Sequence, residues 1–171
     1  KELAEFFHSV GILILEGYGL TETSPVVSVN RMERFKFGSV GLPLRNVETK
    51  ITSEGEIAVR GPSVMLGYYK NQVATDQVIR DGWFHTGDLG HMDSEGFLFI
   101  TGRKKDIIKT SGGKMISPQN IENLILSDPL FSQIVMVGDK HNFITALIVP
   151  NFDQVKIVLK ANGDAVSQTP Q

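Results

Sequence analysis

The chain contains no cysteine, and this absence removes several classes of chemistry at once. Disulfide bonds, thiolate metal sites and a cysteine nucleophile are all excluded. Long apolar runs are lacking as well. The longest, Val10 to Leu15, is interrupted by Gly11 and is far shorter than the roughly 20 residues that a membrane-spanning helix needs. We therefore predict no membrane span.

An excess of charge of either sign is also missing. The sequence has 17 Lys and Arg residues against 19 Asp and Glu, which gives a formal net charge of −2. This balance offers no electrostatic case for binding nucleic acid or an anionic membrane surface. The composition is 41% hydrophobic and no signal peptide opens the chain, so we expect a soluble globular protein in the cytoplasm.

Familiar metal and phosphate motifs are not found either. The four histidines are scattered, with no pair at metal-ligand spacing, and only His85 is a candidate to line a site. The Gly113-Lys114 pair is not part of a P-loop, because Ile108 and Met115 stand where that motif needs glycine and Ser or Thr. It remains a flexible glycine turn ahead of a helix.

The hydrophobic pattern predicts a mixed fold, α/β at first and α+β in its last third. Predicted helices cover residues 1–10, 71–79, 117–128 and 153–160. Predicted strands include a buried one at 12–15, hairpins over 47–59 and 91–100, and a strand pair at 131–137 and 143–149. The charged segment 103–106 is the best linker candidate, which gives domains 1–102 and 103–171. Because the chain begins within a helical pattern, we expect a piece of a larger protein.

Three polar motifs lie at or near the ends of predicted strands. In the first, Tyr18 offers a flat face for a purine, Thr21 a hydroxyl for a phosphate oxygen, and Glu22 an oxygen ligand for Mg²⁺. In the second, Asp88 lies between two glycines, where its carboxylate can accept both ribose hydroxyls. In the third, Arg103 presents a fork of donors suited to ribose or α-phosphate oxygens. Taken singly, each is also compatible with an ordinary turn or a solvated strand end.

The order and spacing of these motifs resemble those of the acyl-adenylate-forming enzymes. Six segments follow one another as in an AMP-forming acyl-CoA synthetase: residues 17–22, 38–43, 55–61, 67–69, 82–88 and 102–106. Within that group, residues 111–122 and 145–150 look like the long-chain fatty-acid CoA ligases. The resemblance spans nearly the whole chain. Its specificity lies in the combination, because no single motif would identify the family.

The resemblance implies a fold and a reaction. Residues 1–102 correspond to the end of the large adenylating domain, a strand plus a small β-barrel, and residues 103–171 to an incomplete C-terminal α+β lid domain. Such enzymes join a carboxylate to ATP to give acyl-AMP and pyrophosphate, and then transfer the acyl group to coenzyme A. The implied small molecules are fatty acid, ATP or AMP, Mg²⁺ and coenzyme A. No nucleic-acid partner is implied, and peripheral membrane association stays open.

The resemblance also assigns roles to residues. Tyr18 would stack on the adenine, Gly19 would belong to the nucleotide-binding residues, Thr21 would bind the α-phosphate, and Glu22 would hold Mg²⁺. Asp88 would bind the ribose hydroxyls, with Arg103 assisting at ribose and phosphate. Lys105 matches the hinge about which the small domain turns between the two half-reactions. A glycine-rich stretch would lie along the pantetheine channel of coenzyme A, namely Ser111, Gly112 and Gly113.

Two departures from the family pattern limit what this chain can do alone. The phosphate loop that the family carries upstream of the Gly-Tyr-Gly motif does not occur in these residues, and neither does most of the acyl pocket. No counterpart of the family's C-terminal catalytic lysine follows Pro150, and Lys109 is only a weak substitute. We expect the isolated chain to be inactive. Two alternatives remain: an adenylation domain that loads a carrier protein, and a non-catalytic nucleotide-binding or interaction module.

Overall fold

The structure, a computed structural model, describes residues 1–161. It divides into two compact units, the first covering Lys1–Lys105 and the second beginning at Asp106. Both contain helices and antiparallel strands, so the mixed α/β and α+β fold class predicted from the sequence is confirmed. No helix within residues 1–161 combines the length and apolarity needed to cross a membrane.

Two antiparallel sheets and two helices build the first unit. The helices are α1 (Glu2–Ser9) and α2 (Gln72–Val78). One sheet has three strands, β1 (Gly17–Gly19), β2 (Val26–Val29) and β3 (Leu42–Pro43). The other has five: β4 (Glu48–Ile51), β5 (Glu56–Arg60), β6 (Ile79–Arg80), β7 (Trp83–Met92) and β8 (Leu98–Arg103).

The two sheets share one hydrophobic core, and backbone hydrogen bonds join them. The core side chains are at most 5% exposed and come from both sheets and the β3–β4 connection: Val27, Val47, Ile57, Val59 and Leu98. The Val40 N–H donates to the Leu98 carbonyl at 2.8 Å, and the Leu98 N–H donates to the Gly41 carbonyl at 2.9 Å. The strands therefore wrap around a single core instead of forming two separate layers.

Strand β7 is the longest strand of the unit and pairs with three others. It contacts β5, β6 and β8, and its register against β5 is interrupted. Ala58 pairs with His85 and Glu56 pairs with Leu89, so the three residues 86–88 of β7 stand against Ile57 alone. This local excess is a β-bulge, which bends a strand and re-aims its side chains. We call residues 86–88 the β7 bulge.

Trp83, the first residue of β7, lies between two cations on the face of the sheet. The Lys50 Nζ is 4.1 Å and the Arg60 guanidinium carbon 4.5 Å from the centre of the indole ring. Arg60 also makes an ion pair with Glu48, on the neighbouring strand. Cation–π contacts of this kind help hold the β4–β5 hairpin beside β7.

The buried strand predicted at residues 12–15 is not formed. These residues pair with no strand in residues 1–161, and the side chains of Ile12 and Ile14 are 53% and 37% exposed. The Ile12 N–H instead donates to the Phe7 carbonyl at 2.9 Å, closing the end of α1. Apolar residues predict a strand only when a neighbouring strand supplies the ladder of hydrogen bonds.

In its described residues, 106–161, the second unit combines two strand pairs with two helices. Strands β9 (Ile108–Lys109) and β10 (Met115–Ile116) precede helix α3 (Pro118–Leu126), whose N-cap is Ser117, as predicted. A hairpin of β11 (Phe131–Val137) and β12 (Thr145–Pro150) follows, and then helix α4 (Phe152–Ala161). Glu122 of α3 accepts the Met136 N–H at 2.7 Å and ties the helix to β11. The helix stop predicted near Gly163 lies outside the described residues.

Candidate functional site

The candidate nucleotide site is centred on Asp88. Tyr18 and Arg103, which come from the two other motifs, both contact its carboxylate. The Tyr18 hydroxyl donates to Asp88 Oδ2 at 2.6 Å, and the Arg103 Nε makes an ion pair with Asp88 Oδ1 at 2.8 Å. Asp88 is buried, with 4% exposure, whereas the Arg103 side chain is 48% exposed. Register explains part of this meeting, because Asp88 on β7 pairs directly with Arg103 on β8.

The protonation state of Tyr18 is set by its surroundings. Burial raises the pKa of the Tyr18 phenol well above its ordinary value, and the hydrogen bond to the Asp88 carboxylate raises it further. The hydroxyl is therefore a donor throughout the neutral range, and Asp88 is the acceptor. A carboxylate has about four acceptor positions, so the two bonds seen here leave others for ribose hydroxyls.

The β7 bulge carries Asp88. The ladder of backbone hydrogen bonds to β5 is interrupted here, and side-chain hydrogen bonds hold the bulge instead. The Thr86 hydroxyl donates to the Ile57 carbonyl at 2.8 Å and accepts the Asp88 N–H at 3.0 Å. Gly87 has φ +74°, a left-handed conformation that glycine adopts without strain. Its N–H donates to Glu56 Oε1 at 3.0 Å.

Glu56 was not singled out from the sequence, although it lies within one of the matching segments. Its carboxylate also contacts His85 Nδ1 and Lys104 Nζ, each at 3.2 Å, through Oε2. Burial by itself would raise the pKa of the Glu56 carboxyl. The hydrogen bonds from His85, Lys104 and Gly87 outweigh this effect and lower the pKa below its ordinary value. The sequence signal that could have identified Glu56 is a carboxylate at the start of a largely apolar strand.

Thr21 and Glu22 lie in the 3₁₀ turn Thr21–Thr23 that follows β1. The Tyr68 hydroxyl donates to Glu22 Oε1 at 2.9 Å, and the Met65 N–H donates to the Glu22 carbonyl at 2.8 Å. The loop before α2 thus holds Glu22 through both its side chain and its backbone. Thr21 is exposed.

Glu22 fits the magnesium role in its donor chemistry. In residues 1–161 no three His, Asp or Glu side chains are grouped to hold a metal ion. Magnesium commonly binds through one or two carboxylates together with substrate phosphates and water, so a single half-buried glutamate is sufficient.

Gly19 is required by internal packing. A Cβ built on Gly19 would lie 1.7 Å from the Pro25 carbonyl oxygen, so any side chain there would collide with the backbone. Gly19 and Tyr18 are among the residues that line a cavity of about 260 Å³. The predicted close approach of a ligand to Gly19 remains a prediction.

Lys105 lines a second, larger cavity of about 330 Å³, together with the end of β8 and the β7 bulge. The lining residues are Thr86, Gly87, Arg103, Lys104 and Lys105. Lys105 lies in the 3₁₀ turn Lys104–Asp106, where the first unit ends. Its neighbour Lys104 is paired with Glu54 at 2.6 Å in addition to Glu56.

Ser111, Gly112 and Gly113 lie in the second unit, in the exposed turn between β9 and β10. The Ser111 N–H donates to the His141 carbonyl at 3.0 Å, and its hydroxyl hydrogen-bonds to Asn142. A Cβ on Gly112 or Gly113 would meet nothing within 4 Å. The turn thus has room beside its backbone, and its contact with coenzyme A stays a prediction.

The chain matches two family models. Residues 1–69 match the AMP-binding enzyme family, and residues 105–168 match the AMP-binding enzyme C-terminal domain. Among curated proteins it is 48% identical over 146 residues to the long-chain-fatty-acid–CoA ligase FadD15 of Mycobacterium bovis, covering 85% of this chain and 24% of that protein. It is 45% identical over 139 residues to the long-chain-fatty-acid–CoA ligase of Escherichia coli O157:H7, covering 75% and 25%.

Solved structures give the same result. The chain is similar to the o-succinylbenzoate coenzyme A synthetase MenE from Bacillus subtilis, both in complex with AMP and in complex with ATP and a magnesium ion. For each complex the TM-score is 0.76 and the sequence identity 34%, covering 88% of this chain and 34% of that one. The chain spans about a quarter of the length of the curated relatives it matches.

Proposed function

Because the chain belongs to the AMP-binding enzyme family, we propose that the full-length protein containing it is an ATP-dependent, AMP-forming fatty acid–CoA ligase. In the first half-reaction the fatty-acid carboxylate attacks the α-phosphorus of ATP, giving acyl-AMP and releasing pyrophosphate. In the second the thiol of coenzyme A attacks the acyl carbonyl, giving the thioester and releasing AMP. The similarity to two long-chain-fatty-acid–CoA ligases supports this choice of substrate.

The meeting of Tyr18, Asp88 and Arg103 is the observation that carries the proposal. Asp88 binds the ribose hydroxyls through its remaining acceptor positions. Arg103 pairs with Asp88 through Nε and keeps its other N–H donors for ribose or α-phosphate oxygens. The Tyr18 ring, anchored through its hydroxyl, offers its face to the adenine. Charge that develops on the α-phosphate is stabilised by donors held in place beforehand, and Thr21 supplies one of them.

Glu22 is the proposed magnesium ligand. A magnesium ion held there would neutralise part of the charge on the ATP phosphates. The chain's own contribution is to fix the carboxylate, which the Tyr68 hydroxyl and the Met65 N–H do from the loop before α2.

The remaining roles concern the second half-reaction and the setting. We assign residues 1–102 to the large domain and 103–171 to the lid, with Lys105 as the hinge. Ser111, Gly112 and Gly113 form part of the channel for coenzyme A. The cytoplasm is the proposed location, and a long-chain acid that partitions into lipid would favour peripheral membrane association of the full-length enzyme.

The test is acyl-CoA formation by the full-length protein, given ATP, Mg²⁺, coenzyme A and carboxylates from acetate to palmitate. We expect thioester from the long acids and none from the 171-residue chain assayed in parallel. Formation of adenylate without thioester would indicate that the acyl acceptor is a carrier protein and not coenzyme A. No adenylate from any acid would refute the ligase and leave a nucleotide-binding module.

A further inference from the structure

Glu56 is a buried carboxylate to which the proposed chemistry gives no role. Its side chain is 6% exposed, yet it faces the side chains of His85 and Lys104 and the Gly87 N–H. Arg80 Nη2 lies 4.0 Å away. A buried charge is costly unless it is paired and hydrogen-bonded, and here every neighbour just named is a donor or a cation.

The position of this carboxylate matters because the ladder between β5 and β7 is broken beside it. In the register, three residues of the β7 bulge stand against Ile57 alone, so the bulge lacks ordinary ladder partners on the β5 side. Glu56 Oε1 accepts the Gly87 N–H in their place, at 3.0 Å. The residue that follows Gly87 is Asp88, so the conformation of this peptide sets the direction of the Asp88 side chain.

The same carboxylate reaches the segment that follows β8. Oε2 accepts Lys104 Nζ at 3.2 Å, and Lys104 lies directly between Arg103 and Lys105. One carboxylate therefore contacts both the bulge that carries Asp88 and the segment that carries Arg103. These two segments form the lining of the 330 Å³ cavity.

The geometry points to Glu56 as a positioning residue of the nucleotide site. Its carboxylate holds the β7 bulge and Lys104 in the conformation that brings Asp88 and Arg103 together before a nucleotide binds. The inference rests on the proposed function, because it assigns these residues to the binding of an adenine nucleotide. A purely structural Glu56 would instead affect stability and every substrate alike.

The experiment is Glu56→Gln in the full-length protein, with AMP binding measured by calorimetry and KM and kcat measured for each substrate. Glutamine keeps an acceptor for Gly87 but removes the charge that faces Lys104 and His85. We expect the AMP dissociation constant and the KM for ATP to rise between about 10- and 100-fold. The KM for coenzyme A should stay within about twofold of wild type.

Glu54→Gln is the matched control. Glu54 contacts the same Lys104 Nζ, at 2.6 Å, but it is exposed and makes no hydrogen bond to the β7 bulge. AMP affinity should stay within about twofold of wild type in this variant. An equal loss in both variants would overturn the role of the bulge and assign the effect to Lys104 alone.

If Glu56→Gln does not fold, a second variant tests the same role of the β7 bulge. Thr86→Val removes the hydroxyl that fastens the same bulge and leaves the Glu56 carboxylate in place. It should weaken AMP binding in the same way. Wild-type AMP affinity in a folded Glu56→Gln or Thr86→Val protein would overturn the inference while the ligase reaction stands. A wild-type protein that binds no AMP would instead overturn the proposed function, and this inference with it.

Discussion

At the scale of single residues, the two buried carboxylates of the first unit have different surroundings. Asp88 accepts a hydrogen bond from one phenol and pairs with one partly exposed guanidinium, whereas Glu56 accepts from a histidine, a lysine and a backbone N–H. The pairing with exposed Arg103 leaves Asp88 near a cavity that a ligand can enter. Glu56 is different, because its carboxylate is occupied by residues of the chain itself.

The first prediction concerns Asp88→Asn in the full-length protein. The amide keeps the shape of the side chain but loses the charge that Arg103 contacts and that is proposed to bind the ribose hydroxyls. A hydrogen bond to a charged group contributes about 1.5–3 kcal/mol, so the dissociation constant for AMP should rise by about 10- to 150-fold. Calorimetric titration measures it. Asp76→Asn on α2 is the control, and an unchanged affinity in Asp88→Asn would remove Asp88 from the site.

The second prediction concerns acid stability. The pKa of Glu56 is lowered in the folded chain relative to its ordinary value of 4.5. Its stabilising contribution is therefore present above about pH 4.5 and is lost as the pH falls through the lower folded value. In Glu56→Gln the free energy of unfolding should decline less steeply below this pH than in the wild type. Urea unfolding followed by circular dichroism measures the difference.

The control for this experiment is Glu48→Gln. The pKa of Glu48 is lowered as well, but by an exposed pair with Arg60. Salt at about 0.5 M should screen that pair and leave the buried Glu56 network largely intact. Parallel pH profiles for the wild type and Glu56→Gln at high salt would contradict the prediction.

The third prediction concerns Tyr68→Phe. Loss of the hydroxyl frees Glu22 Oε1 from its donor, while the aromatic ring is retained. If Glu22 holds Mg²⁺, the concentration of Mg²⁺ that gives half-maximal activity should rise about 10-fold. A magnesium titration of pyrophosphate release measures it. Tyr69→Phe is the matched control, because Tyr69 is 88% exposed. Identical magnesium curves for all three proteins would refute the positioning role.

At the scale of secondary-structure elements, the local patterns in the sequence were reliable and the distant ones were not. The hairpin over residues 47–59 and the Ser117 helix start follow from turn and cap residues that lie next to one another, and both are formed. The strand expected at residues 12–15 is absent from residues 1–161 as described, because its pairing depends on a neighbour that apolarity alone does not reveal.

In the candidate site, too, local motifs could be predicted from the sequence and long-range contacts could not. Tyr18, Asp88 and Arg103 could be named in advance because each lies in a recognisable motif. The role of Glu56 could not, because its carboxylate contacts residues that are 29, 31 and 48 positions away in sequence. The Gly87 N–H needs that carboxylate because the strand register is interrupted. Such an interruption cannot be recognised from the hydrophobic periodicity of a single sequence.

The fourth prediction compares two glycines of β7. A Cβ on Gly87 would meet nothing within 4 Å, so Gly87→Ala costs only the left-handed conformation, about 1 kcal/mol. A Cβ on Gly90 would lie 2.3 Å from the Phe99 carbonyl oxygen, so Gly90→Ala must push β8 away from β7. Gly90→Ala should therefore destabilise the chain more than Gly87→Ala in urea unfolding. The reverse order would contradict the described register.

At the scale of the whole molecule, the chain consists of two units that meet in sequence at Lys105. The predicted domain boundary follows residue 102, and the compact units divide after Lys105. The C-terminal family model begins at residue 105. The 3₁₀ turn Lys104–Asp106 is therefore the segment in which a change of backbone angles would reorient one unit relative to the other.

The fifth prediction concerns Lys105→Pro in the full-length protein. Proline at position 105 fixes its own φ near about −65° and restricts the backbone of Lys104 as well, so a change of backbone angles in this segment is opposed. If Lys105 is the hinge, one half-reaction should persist and the other should fall at least about 10-fold. Pyrophosphate exchange and thioester formation measure the two steps separately. Lys105→Ala is the control for charge, and equal effects of proline on both steps would exclude a hinge.

Trp83 makes the first unit optically distinguishable from the second. It is the only tryptophan among the 171 residues, and it lies between Lys50 and Arg60 on the β4–β5–β7 surface. Indole emission from this chain therefore reports the loosening of that surface, whereas the helices and strands of both units contribute to the far-ultraviolet dichroism. Coincident transitions by emission and dichroism would mean that the units unfold as one, and separated transitions that each is a folding unit of its own.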